Sequence, residues 1–113
     1  MTRVLMIETA SPKRVREKAR AILAGDFYSS PQLTILCRPD PRSVEPYGAI
    51  HGVRAIALEK SRKNEILKEL EQKPFDVALM FWTRDRGFSR MKWVALRLHA
   101  TAMTHAPSVE LTD

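Results

Sequence analysis

The residues best equipped for chemistry in this chain are cations, hydroxyls and two carboxylates, gathered in two short stretches. The first, "ETASPKR" at 8–14, holds Glu8, Ser11, Lys13 and Arg14; the second, "TRDRGFSR" at 83–90, holds Thr83, Arg84, Asp85, Arg86 and Arg90. Each runs into the start of a helix, where free backbone N–H groups and the helix dipole already favour an anion. A cation at that end opposes the dipole by a few tenths of a kcal/mol. Lys13, Arg14, Arg86 and Arg90 therefore repeat, at two helices, a choice that the helices alone do not reward. The chemistry this points to is the binding of phosphate or diphosphate, with the Ser11 and Thr83 hydroxyls as added donors. The same residues read as well as solvated charge on a basic surface, where exposed pairs contribute little. Glu8 and Asp85 stand at the same edge, as candidate acid/base groups or as neutralisers of the neighbouring arginines.

The charge is local rather than general. The 113 residues carry a net +6. Residues 12–20 contribute +4, and residues 84–97 another +4, so the remainder is −2. A chain this long forms one domain, with its structured part at 1–100 and a tail at 101–113. Forty-four per cent hydrophobic and 28% charged residues exclude a disordered chain. No apolar run reaches the ~18 residues that a membrane span needs. Glu8 interrupts the N-terminal apolar run and no cleavage pattern follows, so a cytoplasmic location is expected. The lone cysteine, Cys37, agrees with a reducing compartment.

The elements that must position these groups alternate. Continuous apolar runs at 3–8, 33–37, 53–58 and 76–82 predict strands buried on both faces. Ser11, Pro12 and Gly25 bracket a helix whose Val15, Ala19, Ile22 and Leu23 share one face. Ser61 is placed to cap a second helix, ended by Pro74, with Ile66, Leu67 and Leu70 as its buried stripe. A third, 88–100, turns Phe88, Met91, Val94, Ala95 and Leu98 to one side. This pattern predicts a three-layer α/β/α, Rossmann-like domain with a parallel sheet of four to five strands in the order 3-2-1-4(-5). Strands 1 and 4 are then neighbours, and ligands of such sheets bind beyond the carboxyl ends at that switch point. Residues 38–52, with three prolines and two glycines, predict a degenerate crossover with one short helical turn, or else a binding loop. The tail allows one short edge strand at 101–105.

Trp93 falls on the polar side of its helix beside Leu96 and Arg97. The three together read as an interface for a partner domain, a second copy or a lipid surface, or as a tryptophan stacked on guanidinium groups. Trp82 reads as core. His51, His99 and His105 have no ligand-like spacing with one another or with Cys37, so no metal is expected. Cys37, inside an apolar run, reads as a small buried hydrophobe. GxSxG, P-loop and GxGxxG sequences are absent, so no cofactor is expected.

"QLTILCRPD", "NEILKELEQKPFDVALMFWT" and "FSRMKWVALRLHA" together resemble the N-terminal Rossmann-like half of GT-B glycosyltransferases of the heptosyltransferase type. "SRMKWVALRLHA" is also similar to a related group of uncharacterised bacterial proteins. The resemblance spans about residues 3–100, in pattern more than in identity. It implies an acceptor-side or accessory module for a phosphorylated sugar or nucleotide-sugar. Family members carry Gly-Asp and Thr-Pro after the first strand, with a catalytic Asp there; "TASPKRVRE" has neither. Their donor nucleotide is held mainly by a C-terminal Rossmann domain that this chain does not contain, so the module is expected to be catalytically incomplete. Two other readings stay open: a small basic module binding nucleic acid or another polyanion, without an aromatic stacking platform to support it, and a truncated fragment without activity.

Overall fold

The structure, a computed structural model, describes residues 2–25, 28–72, 75–81, 89–98 and 101–102. Its chain order is β1 (Thr2–Ile7), α1 (Pro12–Leu23), β2 (Pro31–Cys37), α2 (Pro41–Gly48), β3 (Val53–Ala57), α3 (Lys63–Gln72), β4 (Val77–Met80), α4 (Ser89–Arg97) and β5 (Thr101–Ala102). All neighbouring strands pair parallel, in the order β3-β2-β1-β4-β5. The predicted α/β/α architecture and strand order are therefore present, with β1 central between β2 and β4.

Alternation along the strands separates two cores. Val4 and Met6 of β1 join Leu33, Ile35 and Cys37 of β2 beneath Val15, Ala19 and Ile22 of α1 and Tyr47 of α2. Leu5 and Ile7 join Leu36 and Met80 beneath Ile66, Leu67 and Leu70 of α3 and Met91, Val94 and Ala95 of α4. Both faces of the sheet are thus covered, which is why its strands are apolar throughout rather than at every second residue. Each such Leu, Ile or Met contributes about 1.5–3 kcal/mol by leaving water. The alignment of β4 on β1 is held at its entry, where Asp76 accepts from the Arg3 N–H at 2.7 Å and donates its own N–H to the Arg3 carbonyl at 2.8 Å. Gly25, with φ of 88°, closes α1 in the left-handed region that side chains avoid.

Two expectations need correction. Residues 38–52 form more than one turn: α2 has eight residues. Asp40 caps it, accepting from the Arg42 N–H at 3.0 Å, and Pro41 sits in the first turn where no N–H is required. Pro46 lies inside the helix, where it cannot donate to the Arg42 carbonyl, so α2 forms with one helical bond fewer. Ser61 is not a cap either. A 3-10 turn, Lys60–Arg62, begins after Glu59, and Ser61 lies inside it ahead of α3. Strand β3, interrupted by Arg54, lies at the sheet edge. Among the described residues no helix is long and apolar enough to cross a membrane.

Candidate functional site

Beyond Ile7 the side of β1 that carries Val4 and Met6 continues with Glu8, which is completely buried. A buried carboxylate is tolerated only when its oxygens are bonded. Glu8 Oε1 accepts from the Arg38 backbone N–H and from Arg38 Nε, each at 3.0 Å. Glu8 Oε2 accepts a short hydrogen bond from the Tyr47 hydroxyl. The three residues come from the ends of β1 and β2 and from α2, so the helix hidden in the proline-rich stretch supplies one donor. Burial, and then the bond to Glu8, push the Tyr47 hydroxyl pKa upward. Cys37, buried beside the cluster, is pushed from 9.0 to about 12, by burial first and by the Glu8 carboxylate second, against the opposing Arg38 charge.

Thr9 closes the next step of the sheet. It is fully buried; its hydroxyl donates to the Phe81 carbonyl at 3.0 Å and accepts from the Phe81 N–H at 2.6 Å. That exchange extends the contact of β1 with β4 one residue past the backbone ladder.

Arg38 also faces outward, with 34% of its side chain exposed. It lines a groove of about 840 Å³ on the α3–α4 side, at the carboxyl ends of β2 and β3. Leu58, Leu67, Met91 and Val94 form an apolar floor, and Arg38, Lys60, Lys63, Arg90 and Arg97 bring five cations to the walls. Trp93 stands at the rim, 74% exposed. Arg97 is paired with Glu71 at 2.8 Å. Lys60, Lys63 and Arg90 form no ion pair among the described residues. Among the described residues the lining holds no carboxylate. The groove is of ligand size, and the first turns of α3 and α4 add their dipoles to its positive field.

Of the predicted anion-binding residues, Arg90 lines this groove, whereas Ser11, Lys13 and Arg14 do not. The reason is the layering: α1 covers one face of the sheet and α4 the other. Thr83, Arg84, Asp85 and Arg86 lie outside the described residues, as do Trp82 and Phe88. Trp93 and Leu96 are exposed, as their helical phase predicts. Arg97 lines the groove together with Arg90, because the groove runs along α4 and the two-turn spacing keeps both arginines on it.

Arg38, Lys60, Lys63 and Tyr47 were missed. Three of them follow the carboxyl ends of β2 and β3, on the same edge of the sheet as the switch point but to one side of it. Among the described residues no group of three or more His, Cys, Asp or Glu side chains is placed to hold a metal ion. The class defined by this architecture is a Rossmann-like α/β/α domain with a polar cluster and a basic groove at its carboxyl edge. Comparison with protein-family models, curated proteins and solved structures returned no match.

Proposed function

We propose that this chain is a binding module for a phosphorylated ligand, seated in the groove at the carboxyl ends of β2 and β3. One observation carries the reading: five cations, three of them without an ion pair among the described residues, line a groove of ligand size with an apolar floor. Lys60, Lys63 and Arg90 supply free charge to phosphate oxygens, and Arg38 supplies a guanidinium held from behind by Glu8. The apolar floor accepts the uncharged part of the ligand. In keeping with the resemblance to the N-terminal half of GT-B glycosyltransferases, a phosphorylated sugar or nucleotide-sugar suits both parts, and the module serves as an acceptor-side or accessory unit. In this reading Glu8, shut from solvent with both oxygens engaged, holds Arg38 rather than acting as an acid or base.

The test is an amide NMR titration with inorganic pyrophosphate. Signals of residues 38–39, 58–63 and 90–97 should move together and saturate. Lys63→Ala and Arg90→Ala should each weaken binding about tenfold, the effect of losing one charged hydrogen bond of ~1.5 kcal/mol. Shifts spread over all basic residues, or an affinity indifferent to both variants, refute the site.

A further inference from the structure

The exposed large hydrophobic side chains among the described residues are Trp93 at 74% and Leu96 at 54%, one turn apart on α4. They do not belong to the core, which α4 reaches with Met91, Val94 and Ala95. At 100 degrees per residue, Arg90, Trp93, Leu96 and Arg97 occupy about 120 degrees of the opposite arc. The outer face of α4 is therefore two apolar side chains between two cations. Lys60 and Lys63 face it across the groove, and Glu71 offsets the Arg97 charge alone.

A partner for this face must offer negative charge at the level of the cations and an apolar layer just beyond. An anionic bilayer surface has that order of layers, with phosphates outside and acyl chains beneath. Tryptophan suits the boundary, having an apolar body and one N–H donor. Lysine and arginine around it gain about fivefold in membrane partitioning per charge, the equivalent of ~1 kcal/mol. Helix α4, at nine residues, is about 14 Å long and can only lie in the plane of the surface. We propose that the outer face of α4 and the basic rim of the groove dock this protein on anionic lipid, with Trp93 and Leu96 entering the headgroup boundary and Lys60, Lys63 and Arg90 on lipid phosphates. The proposal goes beyond binding of a soluble ligand and does not depend on it, since Leu96 lies outside the groove lining.

Co-sedimentation with phosphatidylcholine vesicles, with and without phosphatidylglycerol, tests it. The full chain should bind the anionic vesicles and leave the neutral ones. Leu96→Gln should weaken that binding about tenfold, the effect of losing one buried leucine, while leaving the pyrophosphate titration unchanged. The pair Lys60→Gln with Lys63→Gln should weaken it about 25-fold, and urea unfolding confirms that each variant folds. Failure to bind anionic vesicles, equal binding of neutral ones, or full binding by Leu96→Gln overturns the proposal. Three of these results leave the pyrophosphate site standing. A dimer that Leu96→Gln dissociates, without vesicle binding, assigns the face to a second copy instead. Tight, salt-sensitive binding of DNA or RNA without vesicle binding assigns it to nucleic acid.

Discussion

Replacing Glu8 by alanine probes the polar cluster most directly. Glu8 is completely buried and accepts three hydrogen bonds, from the Arg38 N–H, Arg38 Nε and the Tyr47 hydroxyl. Alanine leaves the hydroxyl of Tyr47, itself fully buried, without an acceptor, at about 1–3 kcal/mol. The orphaned Arg38 N–H costs a similar amount. The Arg38 guanidinium costs less, because its side chain is 34% exposed and can turn to water. The total is about 3–5 kcal/mol, the range for breaking a buried ion pair by removing one partner. Against a domain stability of about 5–15 kcal/mol this is a large share. With a slope of ~2 kcal/mol per molar, the urea midpoint should fall by about 2 M. Glu8→Gln keeps the shape and one carbonyl acceptor, so its loss should be about 1–2 kcal/mol. Tyr47→Phe, which removes one donor from the carboxylate, should lie near 2 kcal/mol. Unfolding followed by circular dichroism ranks the three variants. A Glu8→Ala protein within about 0.5 kcal/mol of the parent would refute the account of the cluster, since no arrangement with those groups buried is so indifferent.

Thr9→Val should cost about 1–3 kcal/mol by leaving Phe81 N–H and C=O without the hydroxyl, with faster amide exchange at Phe81 as its local signature. Cys37 keeps its proton to about pH 12 in the folded chain and to about 9.0 in the unfolded one. Above the lower value the unfolded state releases a proton that the folded state retains. Stability should therefore be full below pH 9.0 and fall as the pH rises toward about 12. The upward shift of Tyr47 acts in the same direction. Cys37→Ala should flatten the alkaline limb of urea midpoints measured against pH; an unchanged limb contradicts the burial of the thiol. Trp93→Ala should leave the unfolding free energy within about 0.5 kcal/mol, because a side chain 74% exposed contributes little to the core. A loss of several kcal/mol would mean that the indole is covered in solution.

Sheet order was legible because burial on both faces leaves a plain mark: β1, β2 and β4 are runs of aliphatic residues bounded by helix caps and stops. Leu5 and Met6 point to opposite cores, yet both are apolar. Helix α2 was not legible for a physical reason. Two of its eight residues are proline and its last is glycine, so propensity alone opposes it. The Asp40 cap, the tolerance of the first turn for Pro41, and the burial of Tyr47 and Ser43 outweigh that bias. Tertiary contact, rather than local preference, makes this helix.

The basic groove was only half legible, because spacing along the chain marks where helices start but not which face of the sheet each one covers. Lys13 and Arg90 look alike along the chain, each near a helix start after a central strand. In the fold, α1 and α4 lie on opposite sides of the sheet. What joins Arg90 to Arg38, Lys60 and Lys63 is the crossover from β3 to β4, which carries α3 onto the face that α4 also covers. Arg38 reaches the groove from the end of β2, while its backbone N–H and Nε bind the carboxylate at the end of β1. Glu8 thereby serves the groove without touching it: it fixes one guanidinium whose position would otherwise vary over several rotamers. Removing the carboxylate should then weaken pyrophosphate binding as well as the fold, and Glu8→Gln separates the two effects. If glutamine preserves most of the stability yet lowers affinity several-fold, with the amide shifts of residues 38–39 reduced more than those of 90–97, the carboxylate positions Arg38 for the ligand. If affinity follows stability alone, Glu8 is only part of the core.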